Sequence, residues 1–312
     1  MSVYMAPMEG VTNYVYRNAY HQFFKPMDKY FTPFITAKPN KRLSSKEIAE
    51  VSPETNKGLT VIPQILSNNA DDFLQTAAIL MDYGHKEINL NLGCPSGTVT
   101  AKGKGSGFLA EPVKLERFLD KIYSSLDIDI SIKTRIGTDY EDDWEQLLQL
   151  YNKFPVSELI VHPRIQKDYY KNTPRLSAYR MAAEMAKAPL CYNGDLFTKA
   201  AYKNIAEEFP GTETYMFGRG LIANPGLVGE ICLGEKMDKA VLRQFHDKLY
   251  HEYKELLSGD RNVLFRMKEL WNYMIHGFSN YEKYAKKIKK AQKCSEYEAV
   301  ISCLFAEQEL IL

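Results

Sequence analysis

Short apolar runs bounded by polar or glycine-bearing segments recur about eight times between Val3 and Phe217. They predict strands at Val3 to Ala6, Tyr30 to Phe34, Thr60 to Ile65, Glu87 to Asn91, Asp129 to Lys133, Glu158 to Val161, Leu190 to Tyr192 and Thr214 to Phe217. Between them, apolar residues return at helical spacing: Phe73, Leu74, Ala77, Leu80 and Met81, then Val113, Leu115, Phe118, Leu119 and Ile122, then Trp144, Leu147, Leu148 and Tyr151. Pro112 suits the first turn of the second helix, where no backbone N–H is needed. Strands alternating with helices at this spacing predict a parallel sheet, and eight such units predict an α/β chain closed into a (β/α)8 TIM barrel. An open doubly wound sheet is the alternative, disfavoured because no GxGxxG follows the first strand.

Past about Lys239 the strand pattern stops. Val241, Leu242, Phe245, Leu249, Tyr253 and Leu256 mark one amphipathic helix, Leu264, Met267, Leu270, Trp271, Met274 and Ile275 a second, and Tyr297, Val300, Ile301 and Leu304 a third. The expected division is a barrel domain over residues 1–238 and a smaller all-helical C-terminal domain over 239–312. Residues 38–57 are polar enough to form an excursion from the barrel, and no internal repeat of solenoid length is present.

The 312 residues, 45% hydrophobic, are enough to bury a large core. Forty basic residues against 39 acidic ones give a net charge of +1, which excludes a globally basic nucleic-acid binder but not a local basic patch. The five cysteines are odd in number, scattered and without a CxxC pair, so thiols are expected, with neither a disulfide framework nor a metal site. No run of 18 apolar residues and no basic-then-apolar leader occur, so a cytoplasmic protein without membrane contact is expected.

In a barrel of this kind, chemistry sits at the carboxyl ends of the strands. The segment NLNLGCPSGTVTAKGKGSGF, Asn89 to Phe108, places Cys94 where a strand gives way to a glycine-rich loop that suits a mobile flap. Other strand ends carry Pro7, Met8 and Glu9, Gln64, Asn91, Lys133 and Arg135, His162 and Arg164, Asn193, Gly194 and Asp195, and Gly218 and Arg219. The last two loops are where such barrels often hold phosphate, and Arg219 adds a guanidinium fork for its oxygens. A lysine ending the run Ile130, Ser131, Ile132 sets a cation at the barrel mouth, where it calls for an anionic or electron-rich partner such as a flavin ring. Gln64 suits the carbonyl and N–H groups of the same ring.

Taken together, these residues resemble the tRNA-dihydrouridine synthase family along nearly the whole chain. The resemblance runs through APMEGVTN at Ala6 to Asn13, PQI at Pro63 to Ile65, NLGCPSGTV at Asn91 to Val99, GKGSGFL at Gly103 to Leu109, IKTRIG at Ile132 to Gly137, VHPR at Val161 to Arg164, YNGDLFT at Tyr192 to Thr198 and MFGRGLIANP at Met216 to Pro225. It implies an FMN-containing barrel that reduces a uridine of tRNA to 5,6-dihydrouridine, with NADPH as reductant. On that pattern Cys94 protonates uracil carbon 5 after hydride reaches carbon 6, which asks for a group that keeps its proton near neutral pH. FMN is implied at Pro7, Met8, Glu9, Gln64, Lys133, Asn193, Gly194, Asp195, Gly218 and Arg219, with His162 nearby. Asn91 meets the base or the flavin.

RNA contact should leave a basic trace, and Arg261 to Lys293 holds nine lysines and arginines against Glu269 and Glu282. Arg266, Lys268 and Tyr273 lie in RMKELWNY, which resembles the family's RNA-facing helix, and Lys286, Lys287, Lys289 and Lys290 form a second cluster for phosphates. Tyr170 is also expected to touch tRNA, although Pro163 stands where the family usually has glycine. A monomer is expected. The alternatives are an FMN barrel reducing a small molecule of dihydroorotate or enone type, a dihydrouridine synthase acting on ribosomal RNA, and a non-enzymatic RNA-binding protein.

Overall fold

The structure, a computed structural model, describes residues 1–40 and 42–312. Among these residues ten short strands pair in parallel: β1 Ser2–Met5, β2 Lys29–Phe31, β3 Ile35–Thr36, β4 Val61–Ile62, β5 Gln64–Leu66, β6 Glu87–Leu92, β7 Asp129–Arg135, β8 Leu159–His162, β9 Leu190–Tyr192 and β10 Thr214–Phe217. Their order is β3-β5-β6-β7-β8-β9-β10-β1-β2-β4. Because β2 and β3 are consecutive in the chain, as are β4 and β5, the two ends of that order belong to the same pair of neighbours. The sheet therefore closes into eight staves.

Two staves are broken by proline, which has no N–H to give a ladder. Pro33 separates β2 from β3 and Pro63 separates β4 from β5. Across the break Thr32 N–H donates to Ile62 O at 3.0 Å, and Gln64 N–H donates to Thr32 Oγ1 at 3.1 Å.

Alternate residues point into the barrel. Tyr4, Ala6, Phe31, Ile62, Ile160, Cys191 and Met216 form an apolar cluster there. Outside, the helix Ala70–Asp82 buries Phe73, Thr76, Ala77 and Leu80, and the helix Pro112–Ser125 buries Leu115, Phe118, Leu119 and Ile122. Met81 and Val113, expected on those faces, are exposed instead. Phe118 meets Phe73 and Phe108 edge-on at 5.7 and 5.4 Å, an arrangement that suits the ring quadrupoles.

The chain divides into two compact units: Met1–Pro7, Asp28–Asp195 and Ile205–Phe217, and then Met8–Met27, Leu196–Asn204 and Gly218–Leu312. The first is the barrel unit. The second joins the helix Tyr14–Phe23, which is not among the predicted elements, to the C-terminal helices Lys239–Leu256, Asp260–Met274, Glu282–Lys290 and Cys294–Glu307. Asn13 caps Tyr14–Phe23 and accepts from Tyr253 Oη at 3.0 Å, while Tyr16 packs edge-on against Phe245 at 5.6 Å. Its centre holds a directed chain. Trp271 Nε1, a donor only, gives its proton to Tyr297 Oη at 2.6 Å, so that hydroxyl donates to His246 Nε2 and the ring donates from Nδ1 to Asp247. No helix among the described residues is long and apolar enough to cross a membrane.

Candidate active site

Strand β6 turns Glu87, Asn89 and Asn91 into the barrel, and these three organise a hydrogen-bonded ladder. Lys29 Nζ donates to Glu87 Oε2 at 2.7 Å and Ser131 Oγ to Glu87 Oε1 at 2.9 Å. Asn89 Nδ2 donates to Ser131 Oγ at 3.0 Å, Gln64 Nε2 to Asn89 Oδ1 at 2.7 Å, and Asn91 Nδ2 to Gln64 Oε1 at 2.7 Å. At the far end Asn91 Oδ1 accepts the backbone N–H groups of Gly93 at 3.0 Å and Cys94 at 2.9 Å. A carboxylate only accepts, so every amide is turned the same way, and the carbonyl end of Asn91 must face Cys94. Replacing Asn89 by leucine strands Gln64 and Ser131 in a buried site. The expected loss is roughly 2–5 kcal/mol of unfolding free energy, read by urea denaturation; a loss below about 1 kcal/mol contradicts a continuous ladder.

The carbonyl of Cys94 is held as firmly as its N–H, because Ser106 N–H donates to it at 3.1 Å and Ser106 Oγ lies 2.9 Å away. The segment expected to be a mobile flap is folded into a short helix, Gly97–Thr100, and a 3-10 turn, Gly105–Ala110. Gly105, at φ +58°, has no room for a side chain: a Cβ would stand 2.7 Å from Cys94 O. Gly105 thus serves close packing around the cysteine, and Gly107 close packing against Thr100. Arg135, 1% exposed, ties the turn down further, donating from Nε to Gly93 O at 3.0 Å, from Nη1 to Ile165 O at 2.7 Å and from Nη2 to Tyr169 O at 2.7 Å. From the sequence Arg135 is a strand-end residue with no assigned task.

Lys133 sits beside Asn91 in the β6–β7 register. No hydrogen bond or ion pair of its Nζ is found among the described residues. Burial, and then the like charge of Arg135, push its pKa down to about 8.

His162 ends β8, and Arg164 Nη1 reaches its Nε2 at 3.0 Å. Arginine only donates, so Nε2 accepts and the ring proton sits on Nδ1. The same guanidinium, 1% exposed, forms a two-pronged pair with Asp195, Nη1 to Oδ1 at 2.9 Å and Nη2 to Oδ2. Tyr170 lies over His162 at 6.0 Å between centroids. Asn193 Nδ2 donates to Met216 O at 2.8 Å, and a Cβ on Gly194 would stand 3.0 Å from Tyr192 Oη. Asn91, Cys94, Gln64 and Lys133 are thus brought together on neighbouring staves. Asn193 and Asp195 both lie just past the end of β9, with internal partners already in place.

Met8, Glu9, Gly218 and Arg219 fall in the second unit. Met8 N–H bonds Thr12 Oγ1 at 2.8 Å, Glu9 is exposed, and Gly218 O accepts Leu221 N–H at 3.0 Å as the helix Arg219–Ala223 opens. Arg219 lies 5.3 Å from the Phe197 ring centroid. Of the residues expected to face RNA, Arg266 donates to Gly10 O at 2.8 Å and Lys268 to Ala291 O at 2.5 Å, so both also brace their own unit. Tyr273 is half-buried. Lys286, Lys287, Lys289 and Lys290 are exposed on the helix Glu282–Lys290, whose buried face is Tyr284 and Ile288.

The family model for dihydrouridine synthase (Dus) matches residues 4–309. A probable tRNA-dihydrouridine synthase of Staphylococcus epidermidis is 29% identical over 298 residues, 86% of this chain and 88% of that one. Probable tRNA-dihydrouridine synthase 1 of Synechocystis is 26% identical over 280 residues, 86% and 76% of the two chains, and the tRNA-dihydrouridine(16) synthase of Pseudomonas syringae pv. tomato is 26% identical over 250 residues, 77% and 78%. Among solved structures, a morphinone reductase variant in complex with tetrahydroNAD superimposes with TM-score 0.54 at 13% identity, covering 77% of this chain and 89% of its own, a likeness of fold. With the family model spanning nearly the whole length and the cysteine-bearing strand end in place, the chain belongs to the dihydrouridine synthase family.

Proposed function

We propose that this chain reduces a uridine of tRNA to 5,6-dihydrouridine, using FMN reduced by NADPH. The observation that carries the reading is the pairing of Cys94, its backbone held on both sides, with Lys133 on the adjacent strand, whose ammonium has no hydrogen bond or ion pair among the described residues. Lys133 also tests the fit of a flavin: a poorly hydrated cation at a barrel mouth favours an electron-rich partner, and the pyrimidine edge of isoalloxazine is one. Gln64 and Asn91 each keep one amide N–H beyond the ladder for ring carbonyls. Within the barrel unit we assign FMN to Lys133, Gln64, His162, Asn193, Gly194, Asp195 and Pro7. Bound there, FMN supplies the hydride that uracil carbon 6 receives.

The chain's own part is the proton. Cys94 Sγ carries it to carbon 5, the thiol serving as a positioned general acid. The Asn91 and Ser106 bonds fix the backbone on which that sulfur is mounted. A base stacked inside folded RNA cannot reach such a site, so the uridine enters unstacked. Residues 239–312 supply the RNA contact through the exposed lysines of Glu282–Lys290, and we take the protein to act in the cytoplasm as a monomer. Mass spectrometry of tRNA from cells lacking the protein is expected to find dihydrouridine missing at a defined position and restored by the intact gene. Unchanged tRNA with altered ribosomal RNA transfers the reading to that substrate.

A further inference from the structure

The helix Asp260–Met274 buries Val263, Leu264, Met267, Leu270, Trp271 and Met274, yet leaves Phe265 60% exposed. A single exposed ring is ordinary; its surroundings are not. Arg261, Phe265 and Lys268 follow at i, i+4 and i+7 and so share one face of the helix. With Asn262, Leu264 and the Ala291–Gln292 turn they line a groove of about 620 Å³. Its lining carries two cations and no acid. Arg261 is exposed and has no ion pair among the described residues, and the Arg266 guanidinium lies 5.9 Å from the Phe265 centroid.

Two carboxylates close in the chain to the lining residues, Glu296 and Asp260, are already engaged. Glu296 accepts the Gln292 N–H at 2.8 Å and the Lys293 N–H at 3.4 Å, and Asp260 accepts the Cys294 N–H at 2.8 Å; those bonds hold both acids below the ordinary carboxylate range. The two amides on the walls are oriented rather than free to turn. Asn262 Nδ2 donates to Ser258 O at 2.8 Å and Gln292 Nε2 to Lys290 O at 3.2 Å, leaving each carbonyl oxygen as an acceptor. Immediately before Ala291 in the chain stand Lys289 and Lys290, exposed and without ion pairs among the described residues.

We infer that this groove seats one unstacked nucleotide of the tRNA, separate from the uridine that is reduced, with its base on the Phe265 ring and its phosphates against Arg261 and the lysines. Charge alone would equally attract an acidic peptide. The flat exposed ring flanked by amide acceptors favours a base, which offers a π face and N–H groups at its edge. The groove would anchor the RNA by a contact that adds affinity without touching the chemistry. The inference rests on the reading of tRNA as substrate.

Because Phe265 is exposed, its replacement should leave the fold intact, which a thermal melt checks. Phe265→Ala is expected to weaken binding of a tRNA transcript about 5- to 100-fold, the range for loss of one base-stacking contact, with kcat at saturating tRNA unchanged. Phe265→Trp should bind as the parent does, and its indole fluorescence should be quenched on adding tRNA. Arg261→Ala should lower the slope of log Kd against log salt by about one. If the parent binds tRNA and Phe265→Ala binds it equally well, or the introduced indole is not quenched, the groove is no nucleotide seat and an acidic protein segment becomes its better occupant. If the parent itself does not bind tRNA, it is the functional reading that fails.

Discussion

Cys94→Ala is expected to cut dihydrouridine formation by at least about 100-fold while leaving FMN content and tRNA affinity at parental levels, since a positioned proton donor contributes factors of this size. The separation follows from how the residue is held. Asn91 and Ser106 bind the backbone of Cys94, and an alanine presents the same N–H and C=O to them. The side chain is half-buried, so its loss opens no sealed core cavity. Liquid chromatography with mass detection of nucleosides, with flavin absorbance and filter binding on the same preparation, reads all three quantities. Retained turnover in the alanine variant would mean that the proton comes from elsewhere and that the tightly held turn serves only packing.

Lys133→Met should produce two effects of opposite sign. The folded pKa of Lys133, about 8, lies below the ordinary 10.5, so below pH 8 the flavin-free protein bears the full cost of a poorly solvated ammonium. That cost fades as pH rises from 8 and is gone above 10.5, where the folded and unfolded chains hold the same number of protons on this group. Two and a half units amount to on the order of 3 kcal/mol. The methionine variant, made without FMN, is therefore expected to melt a few degrees higher than the parent at pH 7 and at the same temperature near pH 11. The same variant should bind FMN at least about tenfold more weakly, because it lacks the cation that the ring favours. A lysine that merely reached solvent would give neither the stabilisation nor the loss of flavin.

Much of the architecture was legible because periodicity reports burial. Leu190–Tyr192 and Thr214–Phe217 match the predicted spans, and the other strands shift by a residue or two at their ends. The staves expected as single strands at Tyr30 to Phe34 and Thr60 to Ile65 are each split, and Pro33 and Pro63 were visible as the cause. The helix Tyr14–Phe23 was legible too, since Val15, Tyr16, Ala19, Tyr20 and Phe23 keep helical spacing, although it is not among the predicted helices. Its Arg17 is fully buried, donating to Thr12 O at 3.0 Å, a local satisfaction that composition does not reveal.

The site divides along the same line. Asn89 and Asn91 stand two apart in β6 and so share one face, yet their partners Gln64 and Ser131 lie 25 to 42 residues away and needed the fold to be seen. The FMN role expected of Asp195 comes from the family resemblance; that Arg164, 31 residues earlier, holds its carboxylate needed the fold to be seen. The lysines of Glu282–Lys290 were legible without the fold, since a helix that buries only Tyr284 and Ile288 must turn the rest outward.

The most direct test of the account is to reduce the FMN-loaded protein with NADPH under nitrogen, add a tRNA transcript, and follow flavin absorbance while counting dihydrouridine. Return of the yellow colour with about one dihydrouridine formed per flavin is the predicted result. Colour that stays bleached with tRNA but returns with a small enone would contradict it.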